Sequence, residues 1–598
     1  MPNTLYVGAL AAFVILAAAD TGAQQPQSPS ADAIAPQSVV VSSHKKASPW
    51  FRAESAHFVV YADTSRAAAS ALIDNMERLD HLLRIYTKPY RKANASEQKI
   101  TLYYQDRVAG LKTIDAAVPA DAIGLYSSCG AGVQGFGFHL GDAAQDDGLS
   151  YMFEAYTRHF IYRHTDIRAP AAFIDGFAQY FASIRFTDTQ MVIGKTPANV
   201  ASYLDFLDEG HRYSLDYAAV LEQQTATAKN YAGDAGVKLE FLAKSWLLMH
   251  YMQSSDDQRV RLGKYLGAVQ QGAASTAAFE SAFGVKVSDL DTDMWRYRRT
   301  SVKVLQVDVP ALPKAVVNFS TLPEAASDFV MLDAAVKACP ATKAGQALLR
   351  TIASEAAKLP KNDFAQMTLS RAQIAFGNPQ DALPWLGQAV AKNAANYDAV
   401  YLSGLANLRL AEQLQGEATQ AYLQSAQQQL LAARVLNPEA ADAAHAYYRA
   451  ELLGQATGQA ELSETALEGA LTAWLSEREV GGFARSAALA HAYLGNTGQA
   501  KAVLKTLALN PLEPKTVAWA KTWQQKLGAG VNRADIVAEM RAEPQSPAAF
   551  KEWTIDNESV MKTVRYNAGL DAAQNYIFSL GVNPGSPDKA LISAPVKR

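Results

Sequence analysis

Residue types that could carry chemistry crowd between 129 and 180. His139, His159 and His164 offer imidazole nitrogens, Glu154 and Asp175 offer carboxylates, and Cys129 offers a thiol. Two histidines hold zinc from one helix when they stand a turn apart, because that spacing puts both rings on one face. His159 and His164 are five positions apart, roughly 140° round a helix, and do not share a face. A site from His139, His159 and Asp175 would draw on three separate segments. The plainer reading of His159 and His164 is as polar residues near a helix end. Glu154 and Asp175 read equally well as polar-face residues of amphipathic helices. A lone cysteine is far more often a small buried hydrophobe than a nucleophile. Gly135-Phe136-Gly137 lacks the Lys-Ser/Thr that completes a phosphate loop, and no G-x-S-x-G elbow marks a serine hydrolase.

The elements that must position these residues read as a small mixed sheet followed by helices. Phe58 to Tyr61 is β-branched or aromatic, so it predicts a strand. Ser65 stands where a helix cap belongs, with Leu72, Met76, Leu79 and Leu83 behind it at helical spacing. Ile100, Leu102 and Tyr104 alternate with polar residues in a second strand. Residues 122–127 and 136–140 predict two more around a Gly-rich turn. Leu149, Met152, Phe153, Tyr156 and Phe160 predict an amphipathic helix. Pro170 opens another that carries Phe173, Phe177 and Phe181. Further helices are expected over about 239–254, 258–270, 275–283 and 288–300. This is an α+β arrangement.

The order of these parts resembles the zinc-dependent, gluzincin-like peptidases that are often fused to tetratricopeptide repeats. The resemblance rests on WFRAESAHFVVYAD at 50–63, AKSWLLMHYM at 243–252 and AAFESAFGVKVSDLDTDMWRY at 277–297. It spans roughly 48–305 and implies a zincin-like fold. The family's helix reads H-E-x-x-H; the matching stretch here is Phe153-Glu154-Ala155-Tyr156-Thr157. Glu154 keeps the general-base position, while Phe153 and Thr157 stand where the two imidazoles belong. Asp175 stands in place of the third ligand, a Glu. A phenyl ring cannot ligate zinc and a neutral threonine is a poor ligand. One carboxylate is fewer than a catalytic zinc uses. The resemblance thus implies a vestigial site and no cofactor, with zinc expected only if a non-standard metal site makes the chain an active metallopeptidase.

From about 325 the composition turns to Ala, Leu and Gln with spaced Gly and Pro, at a period near 34. Gly377–Ala382 and Gly495–Ala500 read as turns inside helix pairs, and Leu436-Asn437-Pro438 and Leu509-Asn510-Pro511 as their ends. The pattern resembles tetratricopeptide repeats, in five units: 329–362, 363–396, 397–440 with an insertion near 411–420, 441–478 and 481–514. Ala382, Ala389, Ala426, Ala433 and Ala500 fit the positions where helices pack closely. Stacked pairs give a concave groove for a protein or peptide partner. The other reading of the array is as a prop for the first domain.

At the N-terminus Leu5–Ala19 is a 15-residue apolar run, the length of a signal h-region, although MPNT before it holds no Lys or Arg. Small residues and a Pro/Ser-rich tether follow. A leader over 1–23 and a mature start near Gln24 are expected, and with them a periplasmic or secreted protein without a membrane span. Export would put Cys129 and Cys339 in an oxidising compartment. A disulfide between them is one reading, which spacing does not establish, and two free or buried thiols are the expectation. Fifty-five basic residues against 58 acidic ones leave a net charge of −3, without the basic excess of a nucleic-acid binder. The expected order is leader 1–23, tether 24–47, zincin-like domain 48–305, linker 306–324, an all-α array over 325–530 and a C-terminal helical segment and tail over 531–598. The function expected of this arrangement is that of an exported, non-catalytic scaffold.

Overall fold

The structure, a computed structural model, describes residues 49–556 apart from 88–97, 107–109, 120–121, 140–146, 188, 209–214, 223–234, 301, 310–311, 313, 415–416, 457–460, 510–513 and 543–549, together with Met561 and Arg565. The expected leader and tether lie outside the described residues, as does nearly all of the helix expected within 558–580.

The chain opens with β1 (Phe51–Glu54), β2 (Phe58–Asp63), α1 (Arg66–Thr87), β3 (Ile100–Gln105), the short α2 (Leu111–Ile114), β4 (Ala122–Cys129) and β5 (Gly132–Phe138). Then come α3 (Asp147–His164), α4 (Ala171–Ala182), β6 (Arg185–Phe186), β7 (Gln190–Ile193), α5 (Ala198–Asp208), α6 (Tyr217–Glu222), α7 (Ala235–Gln253), α8 (Asp256–Gln270), α9 (Ser275–Phe283) and α10 (Leu290–Thr300). Ser65 caps α1 by accepting from the Ala68 amide at 3.0 Å, as its position predicts. Strands β8 (Leu305–Asp308) and β9 (Asn318–Thr321) lead into the array.

The main sheet has seven strands in the order β10-β4-β5-β3-β2-β1-β9, where β10 is Phe550–Ile555. β2 and β5 both run parallel to β3, and α1 makes the crossover from β2 to β3. The edges come from outside 48–305. β9 pairs antiparallel with β1, and β10, more than 400 residues further along the chain, pairs antiparallel with β4. β6, β7 and β8 form a second, three-stranded sheet.

Both faces of the sheet's central strands are covered. Phe58, Val60, Ile100 and Leu102 face the cluster that contains α1, α3 and α4. On the other face Tyr61, Tyr103 and Phe136 stack across β2, β3 and β5 at 5.5 and 4.8 Å. That face is covered by α11 (Ala326–Lys337), the first helix of the array, through Ala326, Val330 and Ala334. The strict alternation expected of a half-exposed strand is therefore absent from β3, where Tyr103 is buried as well.

The array continues with α12 (Thr342–Ala356), α13 (Asp363–Phe376), α14 (Leu383–Lys392), α15 (Tyr397–Gln413), α16 (Glu417–Leu436), α17 (Ala441–Ala456), α18 (Glu464–Ser476), α19 (Gly481–Tyr493), α20 (Thr497–Ala508), α21 (Pro514–Ala529) and α22 (Arg533–Arg541). Each expected unit holds two helices, and α21 with α22 adds a pair after them. Asn362, Asn396, Ser463 and Asn532 cap helices with side-chain oxygens. Ala382, Ala426, Ala433 and Ala500 are fully buried, whereas Ala389 is half-buried. A Cβ at Gly469 would lie 2.6 Å from the Ala444 carbonyl oxygen, so only glycine lets α18 cross α17 this closely.

The expectation of two separate thiols is corrected. Cys129, at the end of β4, is bonded to Cys339, in the turn between α11 and α12, across 210 residues. The reason is α11: by packing on the sheet it carries Cys339 to the end of β4, with the two Cα atoms 6.5 Å apart.

Candidate functional site

The residues expected at a metal site divide between two environments. Phe153 and Thr157 are fully buried in the core. The Phe153 ring meets Phe186 edge-on at 6.2 Å, and the Thr157 hydroxyl donates to the Phe153 carbonyl at 2.7 Å. Glu154 and Asp175 are brought together by Arg158, one turn after Glu154 on α3. The guanidinium pairs with Glu154, donates from Nε to Asp175 Oδ1 at 2.7 Å, and lies 3.6 Å from Glu552 of β10. Burial works against the charge of Arg158, but Glu552, Glu154 and Asp175 outweigh it and hold the group above its ordinary value, protonated. Asp175 is followed by Gly176, where a Cβ would lie 2.4 Å from the Ser245 carbonyl oxygen; α4 and α7 touch there.

These residues do not fit a zinc ion. Phe153 and Thr157 are packed in the core and offer no ligand, and one oxygen of each carboxylate is engaged by a cation. His159 is buried with Nδ1 2.9 Å from the Tyr126 hydroxyl, and His139 lies 3.5 Å from Asp106. Burial, then Arg163, lowers the pKa of His159; burial, Arg163 and Arg84 do the same for His164, so both stay neutral. His57, Glu77 and Asp80 also converge within metal-binding distance. There, however, His57 Nδ1 is 2.7 Å from Glu77, while Asp80 accepts from Arg84 and from Tyr156, each at 2.7 Å. That cluster is a satisfied ion-pair network.

A second region lies between the sheet and the array. It is a cavity of about 630 Å³, within the range of ligand sites. Its walls are the β4–β5 turn, the Cys339 turn and one face each of α13, α15 and α17. Arg371 on one wall pairs with Asp333 at 2.5 Å and with Asp398 at 3.1 Å. Tyr397 donates to Asp442 at 2.5 Å. Arg409 pairs with Glu412 at 2.8 Å, and Arg449 reaches the same carboxylate only at 4.0 Å. Glu477, in the turn after α18, is buried and has no side-chain hydrogen bond among the described residues. Burial, and Glu479 beside it, push its carboxyl up to about 8, so it is uncharged at neutral pH. Glu479 in turn receives Arg163 from the end of α3 at 3.1 Å, and Arg478 pairs with Asp166, tying the first domain to this turn of the array.

Sequence reasoning missed Arg158, Glu552 and Arg449. Glu154 and Arg158 are four apart on one helix, a visible pairing signal. Glu552 had none, because only the long-range pairing of β10 brings it in. Comparison with protein-family models, curated proteins and solved structures finds no match to the chain.

Proposed function

We propose that the chain is an exported binding protein without peptidase chemistry, in which a zincin-like first domain with vestigial metal positions is joined to a tetratricopeptide-type array that holds a protein or peptide partner. The observation that carries this reading is Arg158. A general base must be free to take a proton, and a metal ligand must offer a lone pair to the ion. Glu154 and Asp175 instead each place one oxygen on the same guanidinium. Export is supported by the apolar run at 5–19 and by the Cys129–Cys339 bond, since disulfides persist in oxidising compartments. No described helix is long and apolar enough to cross a membrane.

Metal analysis and a peptidase assay on protein purified from its native host test the reading. The expected result is no stoichiometric zinc, no cleavage that a chelator abolishes, and an N-terminus near Gln24. One tightly held zinc with chelator-sensitive cleavage would overturn the non-catalytic reading, and an intact Met1 on cytoplasmic protein would overturn export.

A further inference from the structure

The cavity between sheet and array holds polar groups that its own walls leave unanswered. Arg449 is the clearest. Among the described residues its Nη1 is buried without a hydrogen-bond partner, and the carboxylate it reaches, Glu412, is already held more closely by Arg409. Two guanidiniums share one carboxylate there, and Arg449 is the less engaged of the two. On the opposite wall Gln134 is 2% exposed; its amide donates to the Ala334 carbonyl at 3.3 Å, but its Oε1 has no partner among the described residues. The Glu477 carboxyl faces the same space. Being uncharged there, it offers one donor and one acceptor, the pattern that a peptide group returns.

We propose that this cavity is a composite binding site for an acidic peptide segment, in which Arg449, backed by Arg409, receives a carboxylate while Gln134 and Glu477 meet the amides beside it. This rests on the reading of the array as a partner-binding element and adds the chemistry of what it binds. An unpartnered buried donor costs about 1–3 kcal/mol, so a ligand that answers it gains more than one that merely fills space. A guanidinium with both carboxylate oxygens in reach gives direction as well as charge. Aromatic side chains of the same lining, Tyr401 and Phe483 among them, supply the apolar contact for flanking residues. The site is composite because Gln134 comes from the sheet and Arg449 from the array.

The test is selection from pentapeptide pools on immobilised, oxidised full-length protein, read by mass spectrometry. Four pools carry Glu or Gln at the centre, each with a free or an amidated C-terminus. The expected result is enrichment of carboxylate-bearing pools at least tenfold over the amidated Gln pool. The two acidic sources separate by whether the central Glu or the free terminus carries the enrichment. Arg449→Ala should abolish it, and Arg449→Lys should keep part of it at unchanged thermal stability. Equal retention of all four pools, or enrichment untouched by Arg449→Ala, overturns the carboxylate assignment and leaves the partner-binding reading standing. Retention of no pool, together with failure to capture any partner on the array, removes both.

Discussion

Arg158 joins Glu154 and Asp175, and its removal has a calculable consequence. Glu154 and Asp175 are 13% and 15% exposed. Stripping their shared cation leaves two carboxylates close together with little water. Breaking a fully buried pair costs about 3–5 kcal/mol; with this exposure, Arg158→Leu should cost about 2–3 kcal/mol, read as a lower urea midpoint. Glu552→Gln should cost much less, because that carboxylate is further away and more exposed. A midpoint unchanged in Arg158→Leu would mean that the guanidinium is incidental. Glu477 sets a pH dependence. Its folded pKa, about 8, lies above the ordinary glutamate value of 4.5. Its stability contribution is complete below 4.5 and is lost as pH rises to 8. Urea midpoints at pH 5 and pH 8.5 should show the wild type losing ground to Glu477→Gln as pH rises. His159 and His164 act in the opposite sense. Their pKa values are lowered, so their contribution is present above 6.5 and lost as pH falls.

Elements with a local pattern were legible, and elements made by distant pairing were not. The helix at 147–164 follows from Leu149, Met152, Phe153, Tyr156 and Phe160, whose spacing needs no partner to be recognised. β9 and β10 are four and six residues long and have no amphipathic signature of their own; they become strands because β1 and β4 present unpaired edges. The site divides in the same way: Glu154 and Asp175 were identified from their places in a motif, whereas the cation joining them was not, because nothing in that motif asks for one. In the array the small residues marked close helix contacts except at Ala389, which is half-buried beside a fully buried Leu386. Ala426→Leu or Ala500→Leu should therefore overpack a crossing and cost about 1–3 kcal/mol, while Ala389→Leu should stay near zero. Urea titration of the three full-length variants checks the ranking, and equal effects at all three positions would show that the helix faces are misassigned.

At the scale of the whole molecule, the sheet and the array are halves of one packing problem. α11 belongs to the array by sequence and to the sheet by burial, since Ala326, Val330 and Ala334 close the face that Tyr103 and Phe136 present. Cutting the chain at 325 would expose that face on both pieces. A fragment over 325–530 should consequently lose cooperativity, whereas the full chain should unfold in one transition. The Cys129–Cys339 bond strengthens this coupling, because it closes a loop of 210 residues. Loop entropy alone assigns such a crosslink about 5 kcal/mol, an upper figure because residual structure in the unfolded chain lowers it. Reductant should lower the urea midpoint of the wild type and leave a Cys129→Ser/Cys339→Ser variant unmoved, with reduced wild type and variant coinciding. The same variant should retain less acidic peptide, since the disulfide fixes the turn that walls the cavity beside Gln134. If reduction leaves both the midpoint and peptide retention unchanged, α11 alone holds the halves together and the crosslink adds nothing to the folded chain. If the midpoint falls while retention holds, the cavity keeps its shape through the ion pairs of Arg163 and Arg478, which join α3 to the turn bearing Glu477 without passing through the disulfide.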